Sequence, residues 1–236
     1  MPLLERGPKM QIFTFDSIDS TSTECRRIWD RMRESFAVTA SSQSAGRGRS
    51  GKSFYSPEGG GLYLSVALKG HMNTPDCVGI TTYAGVCAVR ALEEIAGVHC
   101  RIKWVNDIFH DGLKVGGILT EALPGGIIVG IGLNLSRCTV PPELEGIMGC
   151  LDCAEYKAEL TGALINGISS YVPGSCAHMD SYREYSLVLG KEVRFINNGL
   201  ETTGTALSIS DDGSLNVDTG SEILSLFSGE VSIRPV

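Results

Sequence analysis

KWVNDIFHDGLKVGGILTEALPGGIIVGIGLNL, residues 103–135, is the stretch that decides the fold. Short strands are expected at 101–104 and 108–110, around an Asn106-Asp107 break of the kind that favours a turn. Gly112 makes the next turn. Apolar strands follow at 114–122 and 127–135, separated by Pro124-Gly125-Gly126. This succession suits a hairpin-rich α+β sheet.

Upstream of that stretch, residues 11–16 read as a strand, and Asp19-Ser20-Thr21 opens a helix. Thr21 and Glu24 have capping-box spacing, and Cys25, Ile28, Met32 and Phe36 recur at helical intervals. A strand at 37–40 leads into the polar, glycine-rich residues 41–53, and an apolar strand follows at 62–68. Thr74-Pro75-Asp76 starts a helix that reaches Ala96, carrying Val78, Val86, Val89, Leu92 and Ile95. Downstream, a helix over 155–172 has Leu160, Leu164 and Ile168 on one face, and a short helix covers 176–187. From Gly190 the chain alternates apolar and polar residues between Asn-Gly, Asp-Gly and Ser-Gly turns. About five short strands there imply a small β-barrel. The expected division is 1–188 and 189–236.

The chain has 236 residues, is 42% apolar and 20% charged, and carries a net charge of −7. An ordered globular protein is expected, and the acidic balance argues against nucleic acid as the main partner. No apolar run has signal-peptide or membrane-spanning character, which points to the cytoplasm and away from membranes. The eight cysteines lack a secretory context, so they are read as reduced thiols. Cys150 and Cys153 form a lone CxxC. With Cys138, Cys176 and His178 they could hold zinc, but a second well-spaced pair is missing.

Three strings carry chemistry. The run from Gln43 through Gly46-Arg47-Gly48-Arg49-Ser50-Gly51-Lys52 packs three cations and three glycines into ten residues. Glycines let backbone N–H groups approach an anion, and arginine forks match phosphate oxygens. Such a run is either a loop that closes over a nucleotide or a solvated basic loop. It is not read as a P-loop, because GxxxxGK(S/T) is not found here between a strand and a helix. Next, Lys103-Trp104-Val105-Asn106-Asp107 and Lys114-Val115-Gly116-Gly117 could aim two lysines, an Asn and an Asp at one pocket. The same string also suits a turn with two surface lysines. Last, Gly130-Ile131-Gly132-Leu133-Asn134 places glycines inside a strand, which marks close approach by a ligand or by another backbone.

Together, Asp19-Ser20-Thr21, GRGRSGKSFYSPEGGGLYLS (46–65), KWVNDI (103–108), KVGGILTE (114–121) and GIGLN (130–134) resemble the ordered motif set of biotin–protein ligases. The closing stretch, residues 213–232 ending in Gly229-Glu230-Val231-Ser232, resembles that family's C-terminal SH3-like cap. The resemblance runs from Phe13 to Arg234. It implies a catalytic domain of the class II aminoacyl-tRNA synthetase/biotin ligase type, a mixed sheet with packed helices, followed by the small barrel. It also implies an ATP-dependent ligase that makes biotinyl-5'-AMP and passes biotin to a lysine of a biotin carboxyl carrier domain of a carboxylase. ATP, biotin and Mg²⁺ are the implied small molecules, without a dedicated protein metal site, and the implied state is a monomer or homodimer.

By the same resemblance, Ser20, Thr21, Ser22, Gln43, Gly46, Arg47, Gly117, Gly130 and Gly132 bind biotin. The polar groups would meet its ureido ring and the glycines its apolar part. Arg47, Gly48, Arg49, Lys52, Phe54, Lys103, Asn106, Lys114 and Asn134 would hold ATP and the adenylate. Arg47, Lys114 and Asp107 would be catalytic, with Asp107 receiving the acceptor lysine. Three positions depart from the family pattern: Val105 stands where proline is usual, Lys52 replaces a common arginine, and Phe54 replaces a tryptophan that packs on adenine. About eleven residues precede the first strand, so the resemblance is to the short form without an N-terminal DNA-binding domain. The rivals are a lipoate–protein ligase or octanoyltransferase, whose RRxxGGGxVxHD-like string is absent, and a non-catalytic biotin-binding regulator.

Overall fold

Small and polar residues alternate with large apolar ones along the central strands, and that alternation builds a sheet with two unlike faces. The computed structural model describes residues 10–70, 72, 76–197, 199–227, 229 and 231–233. Its first sheet comprises β1 (Gln11–Ile18), β2 (Phe36–Gln43), β3 (Gly61–Lys69), β4 (Arg101–Lys103), β5 (Asp107–His110), β6 (Leu113–Leu123) and β7 (Gly126–Asn134). The spatial order is β1-β2-β3-β7-β6-β5-β4. β1 and β2 are parallel, joined through α1 (Thr21–Ile28), and every other pair is antiparallel.

On one face Leu62, Leu64 and Val66 of β3, Ile127, Val129, Ile131 and Leu133 of β7 and Ile118 of β6 join the main core. α2 (Asp76–Ala96) and α3 (Lys157–Ser169) cover that face, with Ile80, Leu92, Leu160, Leu164 and Ile168 buried. On the other face lie Ser65, Gly130, Gly132, Gly117 and Leu119, in register as Ser65↔Gly130↔Leu119 and Tyr63↔Gly132↔Gly117. α1 and the 3-10 turn after it cover only part of this side, through Cys25 and Trp29 packed with Phe36, Val38, Ala67 and Ile128. The small residues beyond α1 leave a hollow.

α1 corrects the sequence reading in two ways. It stops at Ile28 and passes through a short 3-10 turn, so Met32 and Phe36 are not helical. Phe36 begins β2, yet packs against Trp29 at 6.5 Å and Phe13 at 6.1 Å between ring centroids. The recurring apolar positions therefore serve one cluster from two element types. The cap also moves: Ser20, not Thr21, accepts from the Thr23 N–H at 3.4 Å.

α3 and α4 (Met179–Glu184) are shorter than expected, with a 3-10 turn at Ala154–Tyr156 and bonded turns flanking α4. The expected helix start at Thr74-Pro75 lies outside the described residues, as do Glu230 of the closing motif and Arg234 at the end of the resemblance. Among the described residues no helix is long and apolar enough to cross a membrane.

The C-terminal strands β8 (Glu192–Asn197), β9 (Leu200–Ile209), β10 (Leu215–Asp218), β11 (Ile223–Leu226) and β12 (Val231–Ile233) form an antiparallel sheet in the order β11-β10-β9-β8-β12. This is the SH3-like unit. Its inward residues Val193, Phe195, Ala206, Leu215 and Val217 belong to the same core as the first sheet. Trp104 Nε1 donates to Gly213 O at 2.9 Å, and Arg183 Nε to Ile209 O at 2.7 Å. A buried indole from the β4–β5 turn and a guanidinium from α4 thus tie down the C-terminal sheet, which can contribute wall to the hollow.

Candidate functional site

A cavity of about 400 Å³ opens over the glycine-bearing face. The α1 end is neutral. Ser20, Thr21 and Ser22 are buried there. Thr21 Oγ1 lies 2.8 Å from Ser65 Oγ, and Ser22 Oγ lies 3.0 Å from the same oxygen. Gln43 braces the turn: its Oε1 accepts from Thr21 N at 2.8 Å, and its Nε2 donates to Ser56 Oγ at 2.8 Å. The one-residue shift of the cap matters here. With Ser20 capping the helix, Thr21 is released to face the cavity. Adding a Cβ at Gly130 would bring it to 2.7 Å from Ser22 Oγ, so glycine is needed for this hydroxyl cluster to reach the sheet.

The opposite end is cationic. Arg49, Lys52, Lys103 and Lys114 line it, Arg47 lines the cavity beside them, and Asp107 is the only carboxylate among the described lining residues. Lys114 Nζ donates to Asp107 Oδ1 at 2.7 Å. Asn106 fills the β4–β5 break. Its Nδ2 donates to Ile118 O at 2.9 Å while the Ile118 N–H donates to its own carbonyl at 2.9 Å, a side chain completing the ladder where the strand stops. Asn106 Oδ1 then accepts from Arg49 Nη1 at 2.8 Å. Lys103 Nζ stands 5.5 Å from the Phe109 ring centre. The Trp104–Val105 peptide is cis.

The basic run between β2 and β3 has a defined shape. Gly48 N donates to Lys52 O at 2.7 Å and Phe54 N to Gly46 O at 2.8 Å, closing a tight loop with Ser50 and Gly51 at positive φ. The letters from Gly46 to Ser53 fit a P-loop spelling, but β2 leads through them into β3 and no helix follows. Arg47 turns toward β6. Its Nη1 donates to Glu121 Oε2 at 3.0 Å and its Nη2 lies 2.9 Å from Glu121 Oε1.

Of the residues expected at the site, all line the cavity except Gly46. Gly46 is buried behind the loop, where a Cβ would come within 2.3 Å of Phe54 O. Gly132 has a protein neighbour in the space its glycine leaves, since a Cβ there would come within 2.4 Å of the Phe54 ring. Phe54 therefore packs over Gly132, edge-on to Tyr63 at 6.5 Å. At Gly117 an added Cβ meets nothing closer than 3.6 Å.

Sequence reasoning missed two parts of the wall. Leu144, Ile147 and Met148 come from a segment docked on Lys114, whose N–H donates to Ile147 O at 2.8 Å. Asn134 holds the same segment through Nδ2 to Gly149 O at 3.0 Å. Gly229, Val231 and Ser232 come from the C-terminal sheet, and Arg49 Nη2 reaches Gly229 O at 3.4 Å. The first segment has no hydrophobic periodicity to flag it, and the alternation of the second marks only a strand. Among the described residues no group of three or more His, Cys, Asp or Glu side chains could hold a metal, and all eight cysteines are free. Burial pushes the Cys25 and Cys100 thiols up to about 12.

Residues 14–136 match the biotin/lipoate A/B protein ligase family, and residues 188–234 match the biotin protein ligase C-terminal domain. The chain is 30% identical over 216 residues to the bifunctional ligase/repressor BirA of Bacillus subtilis, covering 85% of this chain and 66% of that one. It is 26% identical over 208 residues to the biotin–[acetyl-CoA-carboxylase] ligase of Mycobacterium tuberculosis, covering 82% and 77%. It spans about two thirds of the BirA length. Among solved structures, the biotin protein ligase of Aquifex aeolicus in complex with biotin and ATP superposes with a TM-score of 0.80 at 27% identity, covering 96% of this chain and 99% of that one.

Proposed function

The chain belongs to the biotin/lipoate A/B protein ligase family, and from that premise we propose that it is an ATP-dependent biotin–protein ligase. The observation that carries this reading is the polarity of the cavity: a neutral hydroxyl and amide cluster at one end, and Arg49, Lys52, Lys103 and Lys114 around the one carboxylate of the described lining, Asp107, at the other. An uncharged ring fits the first, and a nucleotide's phosphates fit the second. In a chain of net charge −7, that local cationic excess is specific to the site.

In the first step a biotin carboxylate oxygen bonds to the α-phosphorus of ATP, and the bond to pyrophosphate breaks. Two anions approach each other, so positive charge must meet the charge that accumulates. Lys114 and Arg49 are placed at the cavity wall for this, each oriented by a neighbour, Asp107 and Asn106. In the second step a carrier-lysine amine bonds to the acyl carbon and AMP leaves. Free lysine has a pKa of about 10.4 and must lose a proton. Asp107 is the carboxylate in the wall to orient that amine and assist its deprotonation. Phe54 offers an aromatic face beside Gly132 for adenine.

The donor set suits a magnesium ion carried in by nucleotide phosphates, which needs only one or two protein oxygens. Asp107 is the residue that would hold it, because Asn106 Oδ1 is taken by Arg49 Nη1. When bound, the ion would neutralise charge on the departing pyrophosphate.

The finer assignments belong to the same proposal: a biotin carboxyl carrier domain as acceptor, a cytoplasmic site of action, a monomer or homodimer without nucleic acid, and a functional division into residues 1–188 and 189–236. The test is incubation with ATP, Mg²⁺, biotin and a biotin carrier domain. A biotin mass shift on the carrier is expected, with biotin-dependent pyrophosphate release. No shift and no biotinyl-adenylate would overturn the reading, and lipoate-dependent pyrophosphate release would move the chain to the lipoate branch.

A further inference from the structure

Glu121 lies on β6, two residues beyond Leu119 on the face that carries the cavity. Its side chain is only 12% exposed, takes one hydrogen bond from each of two arginines, and has a further ion-pair contact with Arg47. Arg47 approaches from the basic loop with both terminal nitrogens, a two-point pair. Arg26 approaches from α1, its Nη2 donating to Oε1 at 2.9 Å. The carboxylate thus gathers the basic loop, the strand floor and the helix whose start supplies Ser20, Thr21 and Ser22.

Two guanidiniums this close repel unless a carboxylate stands between them. Without Glu121, Arg47 would be free to leave for solvent, since its side chain is 42% exposed. Elsewhere the loop is held by its own turn and by Arg49 on Asn106 and Gly229. Two-point arginine–carboxylate pairing adds geometric restriction beyond its charge, so the Glu121 pair sets where the loop lies.

We propose that Glu121 is a positioning residue for the activated intermediate: by fixing Arg47 it holds residues 46–52 over the cavity, so that the adenylate is retained until the carrier arrives. This rests on the ligase reading above. It gives Arg47 a second duty as the loop's anchor point, and it leaves phosphate charge chiefly to Arg49 and Lys114. A mixed anhydride is lost if the cover opens early, so retention is a chemical requirement of a two-step ligase.

The experiment uses the full chain with biotin, Mg²⁺ and labelled ATP, without carrier. The enzyme–adenylate complex is isolated by rapid gel filtration, and escape of biotinyl-adenylate into solution is timed. In Glu121→Gln the escape rate is expected to rise about tenfold, the loss of one charge-assisted bond. Adenylate formation at saturating substrate should change less than about threefold, because no reacting atom is touched. Arg47→Lys, altered on the exposed side of the pair, keeps the charge but loses the two-point fork and should leak comparably. Either variant retaining adenylate as the parent does would overturn the positioning role alone. A parent chain that forms no adenylate would overturn the ligase reading and the positioning role with it.

Discussion

The two ends of the cavity are built on opposite principles. At the α1 end the hydroxyls are buried, Gln43 is half-buried, and each is bonded to another protein group: Thr21 to Gln43 and Ser65, Ser22 to Ser65, Gln43 to Ser56. At the other end the groups are charged, partly exposed and held by side-chain partners, Lys114 by Asp107 and Arg49 by Asn106. A neutral ligand group binds well only where the donors and acceptors are already aimed, since each contributes about 1 kcal/mol net. An anion can reorganise its site, because a guanidinium or ammonium gains more from a phosphate than from a solvated carboxylate. One end is therefore preformed, and the other exchanges an internal partner for its ligand.

Lys114 offers the hardest test of that contrast. Lys114→Met keeps the length and removes the charge, and adenylate formation should fall by about a hundredfold or more, the scale of one lost charge-stabilising donor. The fall should appear in kcat with little change in the biotin KM. A raised biotin KM with unchanged kcat would mean that the ends are not separate in function.

Asp107→Asn divides the cationic end further. Transfer from preformed biotinyl-adenylate to the carrier should drop about tenfold to a hundredfold, within the range of general-base contributions. Adenylate formation should fall less, through the loosened Lys114. Full transfer by the variant would remove Asp107 from the second step.

At the neutral end Gln43→Ala removes the brace on Thr21 while leaving all charges in place. The biotin KM should rise about tenfold with kcat largely kept, the signature of lost uniform binding. Titration of biotin at saturating ATP measures it. A matching fall in kcat would show that the hydroxyl cluster also aligns the carboxylate for attack.

Much of this contrast was legible in the sequence. The strands of the first sheet fall near their expected places because glycine, proline and Asn-Asp breaks punctuate apolar runs. The cations of the charged end stand in strings local to one loop or one hairpin, which by themselves leave a solvated loop or a surface turn open; the family resemblance supplies their roles. Phe36 was misread because helical spacing and a shared cluster look alike in one dimension: Cys25, Trp29 and Phe36 meet in space, although only Cys25 lies on α1 and Phe36 begins a strand. Glu121 was quoted as part of a motif, yet its partners Arg26 and Arg47 lie 95 and 74 residues away, and no spacing rule reaches that far. Leu144, Ile147 and Met148 were invisible for another reason. Their segment is placed by main-chain bonds to Lys114 and by Asn134, so nothing in its own side chains marks it as wall.

The smallest effect concerns neither end and guards the comparison against a false reading of pH data. His178 Nε2 lies 2.8 Å from Thr82 Oγ1, half-buried between α2 and α4 with its ring edge-on to Tyr83. Burial holds its pKa below the ordinary 6.5, outweighing a backbone hydrogen bond at Gly79 that acts the other way. The folded chain thus takes up this proton less readily than the unfolded chain. The stability from neutral His178 is complete above pH 6.5 and is lost as pH falls from there toward the lowered folded value. His178→Gln should flatten that part of the curve of Tm against pH while leaving the biotin KM at pH 8 unchanged. An equally steep acid slope in the variant would assign the loss to other groups. A flattened slope would mean that activity lost in mild acid partly reports the α2–α4 contact, so the charged end of the cavity is best compared with the neutral end above that range.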